Sequence, residues 1–254
     1  TDALTRYLSD EGLKIITGVK VLNVQQNGTT KSVEVLVNGK HHTFQSQHIL
    51  VATGRKPNTQ NIGFNHIGVE LDNSGFLQVN DSLETNVKGI YGAGDVIGEP
   101  MFVYTAAYEG ALAAENAISN SAIKRDYNAL PWVIFTDPQV GGVGYDEIQA
   151  RKQGIDVDVS ILPLTHVPRS LAARDTRGFI KLIRNRDNDH LVGARILAPE
   201  GSELLMEISL AIKYGIPVRE LAASFHPYLT LSEGIKLAAI SFGKNIEKLS
   251  CCAV

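Results

Sequence analysis

Two Asn-Gly dipeptides, Asn27-Gly28 and Asn38-Gly39, constrain this chain most tightly. A two-residue hairpin turn needs positive φ at its central positions, and Asn-Gly supplies it at least cost. Ser32-Val33-Glu34-Val35-Leu36-Val37 alternates between the two turns, and Lys20-Val21-Leu22-Asn23-Val24 precedes the first. The pattern predicts a small antiparallel meander whose register is set locally. Upstream, Leu13-Lys14-Ile15-Ile16 reads as a further short apolar strand ending at Gly18, and residues 1–9 as a helix. His41, His42 and His48 surround the meander. Their spacing does not suit metal ligation, so they read as surface residues.

A length of 254 residues suggests one or two domains. The net charge of −3 gives no basic footprint for nucleic acid. No apolar run is long enough to span a bilayer, so no membrane partner is expected. The opening residues do not read as a signal peptide, and Thr1-Asp2-Ala3-Leu4 reads like the middle of a larger protein. The only cysteines, Cys251 and Cys252, stand at the end. No internal disulfide can staple the fold, which fits a reducing cytoplasm. Adjacent thiols are a poor structural device because joining them strains the link. As thiolates they make a soft ligand pair or a redox couple; the bland alternative is an incidental exposed pair.

Two glycine sites follow the meander. In the first, His48-Ile49-Leu50-Val51-Ala52-Thr53-Gly54-Arg55-Lys56-Pro57-Asn58 reads as a buried strand running into a tight turn. Gly54 allows a ligand to approach the backbone, or simply lets the strand exit. In the second, residues 85–91 read as a short strand before Gly92-Ala93-Gly94-Asp95. Asp95 can accept hydrogen bonds from sugar or ribityl hydroxyls. Residues 100–118 then form a helix rich in alanine. Its N-terminus offers unpaired amides and a positive dipole end to a polarised carbonyl or an anionic ring.

From Leu130 the pattern changes. Residues 132–144 read as a strand, a Pro turn and a glycine-rich entry to a helix over 145–154. Strands follow at 157–164, 178–183 and 191–196, with a polar hairpin turn at 185–189. Helices are expected over 202–214 and 218–223, the first with Leu204, Leu205, Ile208 and Ile212 on one face.

Ala52-Thr53-Gly54-Arg55-x-Pro57-Asn58, followed by Gly92-Ala93-Gly94-Asp95, resembles the pyridine nucleotide–disulfide oxidoreductase family. The two motifs together are specific where a lone Gly-x-Gly would not be. The resemblance implies an α/β and α+β chain. Residues 1–53 would be the C-terminal part of an NAD(P)H-binding domain, and 54–125 the C-terminal part of an FAD-binding domain. Residues 126–254 would form an αβ interface domain that makes a homodimer and carries the Cys-Cys tail. It implies FAD and NADPH as cofactors, with Gly54, Gly94, Asp95 and Val103 at the flavin: Asp95 on the ribityl chain, and Val103 at a backbone contact near the ring.

Disulfide reductases of this family carry a His-Pro-Thr-x-Ser-Glu type motif whose His is the acid–base partner of a thiol. Aligned on Ser232-Glu233, Tyr228 takes the His position and Leu229 the Pro position, while His226-Pro227 lies two residues early. A phenol, with a reference pKa of about 10, is a poor base at neutral pH. Tyr228 together with Cys251-Cys252 resembles the Hg(II)-reducing branch of the family. So do Val167-Pro168-Arg169-Ser170-Leu171-Ala172 and Asp175-Thr176-Arg177-Gly178-Phe179-Ile180-Lys181-Leu182. By that resemblance Cys251, Cys252 and Tyr228 are the catalytic set. The two thiols capture Hg(II), exchange it with small thiols and deliver it to the partner subunit. These residues alone would be inactive, having no second cysteine pair and no Gly-x-Gly-x-x-Gly. Two readings compete: another flavoprotein disulfide reductase of the family, which His at position 228 would have favoured and Tyr228 argues against, and a non-catalytic dimerisation or metal-scavenging module. His226 is expected to be a structural loop residue, and Arg169 and Arg177 to pair with carboxylates.

Overall fold

A computed structural model describes residues 1–119 and 121–244. Contacts divide the chain into two units: Thr17–Asp126, and a second built from Thr1–Ile16 with Tyr127–Val254. The helix α1 (Asp2–Asp10) therefore belongs with the second unit although it opens the chain.

In the first unit, β1 (Val19–Asn27), β2 (Thr30–Val37) and β3 (Lys40–Ser46) form the antiparallel meander in that order. Val37 pairs with Lys40 across Asn38-Gly39, whose φ values of 49° and 78° are both left-handed, as the turn requires. His41, His42 and His48 are exposed.

Two expected strands are absent. Residues 13–16 and 49–53 are irregular, and Leu50 and Val51 are 91% and 75% exposed. A strand buried on both faces needs neighbours to pair with and layers to cover it. β3 ends at Ser46, and no described strand pairs with either run.

The rest of this unit contains α2 (Phe64–Ile67), loops tied by side chains, and α3 (Val103–Ser119). Asp72 Oδ1 accepts the amides of Ser74 and Phe76, and Asn80 Oδ1 those of Ser82 and Glu84. The short strand expected before Gly92 is only a single bridge, Glu84 to Tyr91. The buried face of α3 is unusually polar, with Thr105, Glu109 and Asn116 beside Leu112 and Ala113. Asn116 Nδ2 donates to the carbonyls of Ser82 and Ile123, and its Oδ1 accepts from Ser121 Oγ and the Ile123 amide. Leu83 packs with Leu112 and Ala113 beside these bonds.

The second unit is a five-stranded antiparallel sheet in the order β4-β5-β8-β7-β6. Its strands are β4 (Pro131–Ile134), β5 (Gln139–Gly144), β6 (Val157–Pro163), β7 (Phe179–Asn185) and β8 (Leu191–Ala198). The glycine-rich 141–144 run, expected to lead into a helix, is instead strand β5. Glycine is required there by close packing: a Cβ on Gly142 would lie 2.5 Å from the Trp132 ring, and one on Gly141 3.0 Å from Leu205. The helix α4 (Glu147–Lys152) starts after a capping box between Asp146 and Gln149. Next come α5 (Pro168–Ala173), α6 (Leu205–Lys213), α7 (Val218–Ala223) and α8 (Glu233–Ile240). Ile208, Leu221 and Ile235 from the last three join Ile180, Leu182 and Ile196 of the sheet in one core.

Arg177 binds Asp175 at 2.7 Å, Asp137 at 2.9 Å and Glu11, just after α1, at 3.1 Å. The Tyr7 hydroxyl accepts the Gly178 amide at 3.0 Å. Arg169 makes no ion pair among the described residues.

Candidate functional site

The first unit gathers one group of expected residues. Gly94 opens a 3-10 turn, Gly94–Ile97, with φ 76°, and Asp95 follows with its side chain 45% exposed. A Cβ on Gly94 would lie 3.0 Å from that of Ala106, so the turn sits hard against α3. The Gly94 amide donates to Glu109 Oε2 at 2.6 Å, and Glu109 is 1% exposed. Arg55 pairs with Asp95. Val103, the first residue of α3, is 88% exposed. The Thr105 hydroxyl, in the same turn, is buried and has no hydrogen-bond partner among the described residues.

Two clefts share Arg55 and Phe76. One, of about 560 Å³, includes Asp95 and Pro57; the other, of about 700 Å³, includes Gly54, Glu99 and Phe102. Gly54 has φ 108°, and a Cβ there would meet nothing within 4 Å, so its backbone stays approachable. This set offers hydroxyl acceptors at a carboxylate and, at a helix N-terminus, donors for a carbonyl or anion. Arg55 and Glu109 escaped the sequence reading as site residues. Arg55 stood in the quoted motif, and Glu109 falls one helical turn after Thr105.

The second unit presents Tyr228 on the loop between α7 and α8. Phe225 is 101% exposed and Tyr228 63%, so Tyr228 is not a packing residue here. His226 turns inward: its side chain is 6% exposed, Nε2 lies 2.8 Å from Glu207 Oε1 on α6, and Nδ1 lies 3.3 Å from the Ser224 carbonyl. That is the structural role expected of it. Leu229 has φ 66°, and its amide donates to Glu233 Oε2 at 3.2 Å. Thr230 Oγ1 accepts the Glu233 amide and donates to the Pro227 carbonyl. The loop is thus held from both ends while the phenol points into solvent. Cys251 and Cys252 lie outside the described residues. No cluster of three or more His, Cys, Asp or Glu suited to a metal occurs among the described ones.

Residues 1–110 match the pyridine nucleotide-disulphide oxidoreductases, and residues 130–239 match the dimerisation domain of the same proteins. The chain belongs to the pyridine nucleotide-disulphide oxidoreductase family. Among its relatives is a mercuric reductase of Staphylococcus aureus, 42% identical over 253 residues, covering 100% of this chain and 46% of the relative. Mercuric reductases of Bacillus cereus and Shigella flexneri are each 40% identical, covering 100% and 99% of this chain but 40% and 44% of their own lengths. The chain therefore spans less than half the length of these relatives. LpdA of Mycobacterium tuberculosis superposes with a TM-score of 0.85 at 26% identity, covering 96% of this chain and 53% of that one. The HOCl-induced flavoprotein disulfide reductase RclA of Escherichia coli, in a Cu(II) complex, gives 0.86 at 25%, covering 96% and 54%. Among the described residues no helix is long and apolar enough to cross a membrane.

Proposed function

We propose that this chain is the part of an Hg(II)-reducing flavoprotein that completes the flavin site, forms the homodimer and carries the mercury-capturing thiols. Identity of about 40% to mercuric reductases along the whole chain carries the reading. The exposed Tyr228, where disulfide reductases of the family place a histidine, supports it.

The residues around Asp95 fit FAD. The half-exposed carboxylate can accept from ribityl hydroxyls, and the amides opening α3 at Val103 suit the carbonyl edge of the ring. The Thr105 hydroxyl in that same turn, without a hydrogen-bond partner among the described residues, adds a further polar atom. Gly54 and Gly94 keep the backbone close and open. When bound, FAD supplies the relay of two electrons from NADPH to the metal, converting Hg(II) to Hg(0) as NADPH becomes NADP⁺ and a proton. In this division residues 1–53 belong to the NADPH-binding domain, 54–125 to the FAD-binding domain and 126–254 to the interface domain of a cytoplasmic homodimer.

Cys251 and Cys252 capture Hg(II) as a pair of thiolates, the ligand type a soft ion prefers. The ion exchanges with small thiols and passes to the active site of the partner subunit. Tyr228 offers a hydroxyl there, to donate a hydrogen bond or ligate weakly, and avoids a basic imidazole. The 254 residues hold no second cysteine pair, so on their own they bind Hg(II) without reducing it. Mercury-vapour release tests this. With NADPH and added FAD the chain alone should release no Hg(0); sustained release would overturn the division of labour.

A further inference from the structure

We propose that Glu109 is a positioning residue of the cofactor site, clamping the Gly94-Asp95 turn onto α3. The inference rests on the flavin reading for the purpose of that turn, and on geometry alone for the clamp.

A carboxylate 1% exposed is costly to bury unless a polar partner justifies it. One of its partners is the backbone amide of Gly94, which donates to Oε2 at 2.6 Å. Gly94 is also where a Cβ would press on Ala106, one turn before Gly110 on α3. The turn is therefore fixed to the helix twice, through a close backbone approach and through a hydrogen bond. Its far end is fixed by the Leu77 amide donating to the Val96 carbonyl at 2.9 Å. Asp95 lies between these anchors. Its side chain forms an exposed pair with Arg55, which is too weak to set its position. The distance between the Asp95 carboxylate and the first amides of α3 is then governed by Glu109. Those are the two features that must engage one ligand together. A hydrophobic residue at position 109 would satisfy the apolar neighbours Leu112 and Ala113 but would leave the Gly94 amide buried and unbonded.

The test is amide hydrogen exchange of the 254-residue chain, read on residues 92–98, for wild type, Glu109→Gln and Glu109→Ala. Glu109→Ala should speed exchange at Gly94 at least tenfold. Glu109→Gln, which keeps an acceptor oxygen, should restore most of the protection. Residues 180–183 of β7, in the other unit, should be unchanged and so report that the protein is folded. Wild-type exchange at Gly94 in Glu109→Ala would overturn the clamp. A fluorescence titration with FAD on the same three proteins then reads the positioning role. A Kd raised about tenfold by alanine and recovered by glutamine supports it, and equal Kd values overturn it. If wild type itself binds no FAD, the cofactor reading of these residues fails, and with it the positioning role. The exchange data still decide whether Glu109 holds the turn.

Discussion

Gly94→Ala and Gly110→Ala make the same chemical change, one on the turn and one on the helix it contacts, and the structure gives them opposite signs. At Gly94 the backbone is left-handed, with φ 76°. A residue with a Cβ loses about 1–2 kcal/mol there. The new methyl would also lie 3.0 Å from Ala106 Cβ, so one side must yield. With overpacking added, the cost is about 2–3 kcal/mol. At Gly110, within α3, a Cβ meets nothing within 4 Å and φ is not positive. Alanine there should stabilise by about 0.5–1 kcal/mol. The assay is urea unfolding followed by far-UV circular dichroism and, in parallel, by fluorescence of Trp132, the single tryptophan, which sits in the other unit. With a slope of roughly 2 kcal/mol per molar urea, Gly94→Ala should lower the dichroism midpoint by roughly 1 M. Gly110→Ala should raise it slightly. Because Trp132 reports the second unit, its midpoint should follow neither change if the units unfold independently. Equal shifts of the same sign for both variants would refute the reasoning.

Gly178→Ala would place a methyl 1.8 Å from the Leu197 carbonyl at φ 118°, so the β7–β8 pairing should fail; Trp132 fluorescence should show a loss of at least about 3 kcal/mol. Asp175, hydrogen-bonded by Arg177, titrates below the usual carboxylate range. A depressed value adds stability that is complete above the unfolded carboxyl's pKa and is lost as pH falls through the folded one. Asp175→Asn should therefore lower the melting temperature at pH 7, with the gap from wild type closing below about pH 4; a pH-independent gap would contradict this. His226→Ala removes the tether to Glu207, and chymotryptic cleavage after the exposed Phe225 should accelerate severalfold, measured by timed digestion. An unchanged rate would mean that the loop is held elsewhere.

Local chemistry was legible in the sequence and long-range pairing was not. The Asn38-Gly39 turn, α3 and strands β6 to β8 follow from turn residues and periodicity within a few positions of each other. The runs at 13–16 and 49–51 look like strands because they are apolar, but a strand exists only where another pairs with it, and none of the described strands does. The glycines of β5 read as a loop because the reason for them, Trp132 lying on Gly142, belongs to a different strand. At the candidate site, Gly94, Asp95 and the start of α3 were readable together because they are close in sequence. The inward turn of His226 was hidden because Glu207 lies on another helix. Glu109 was hidden because an acidic residue in an alanine-rich helix usually faces water.

The most direct test of the account is Hg(II) titration calorimetry on the 254-residue chain and on its Cys251→Ala/Cys252→Ala variant, each with a competing monothiol present. The account predicts tight one-to-one binding by the wild type that is lost in the variant. Equal binding by both would contradict the assignment of these thiols as the capture site.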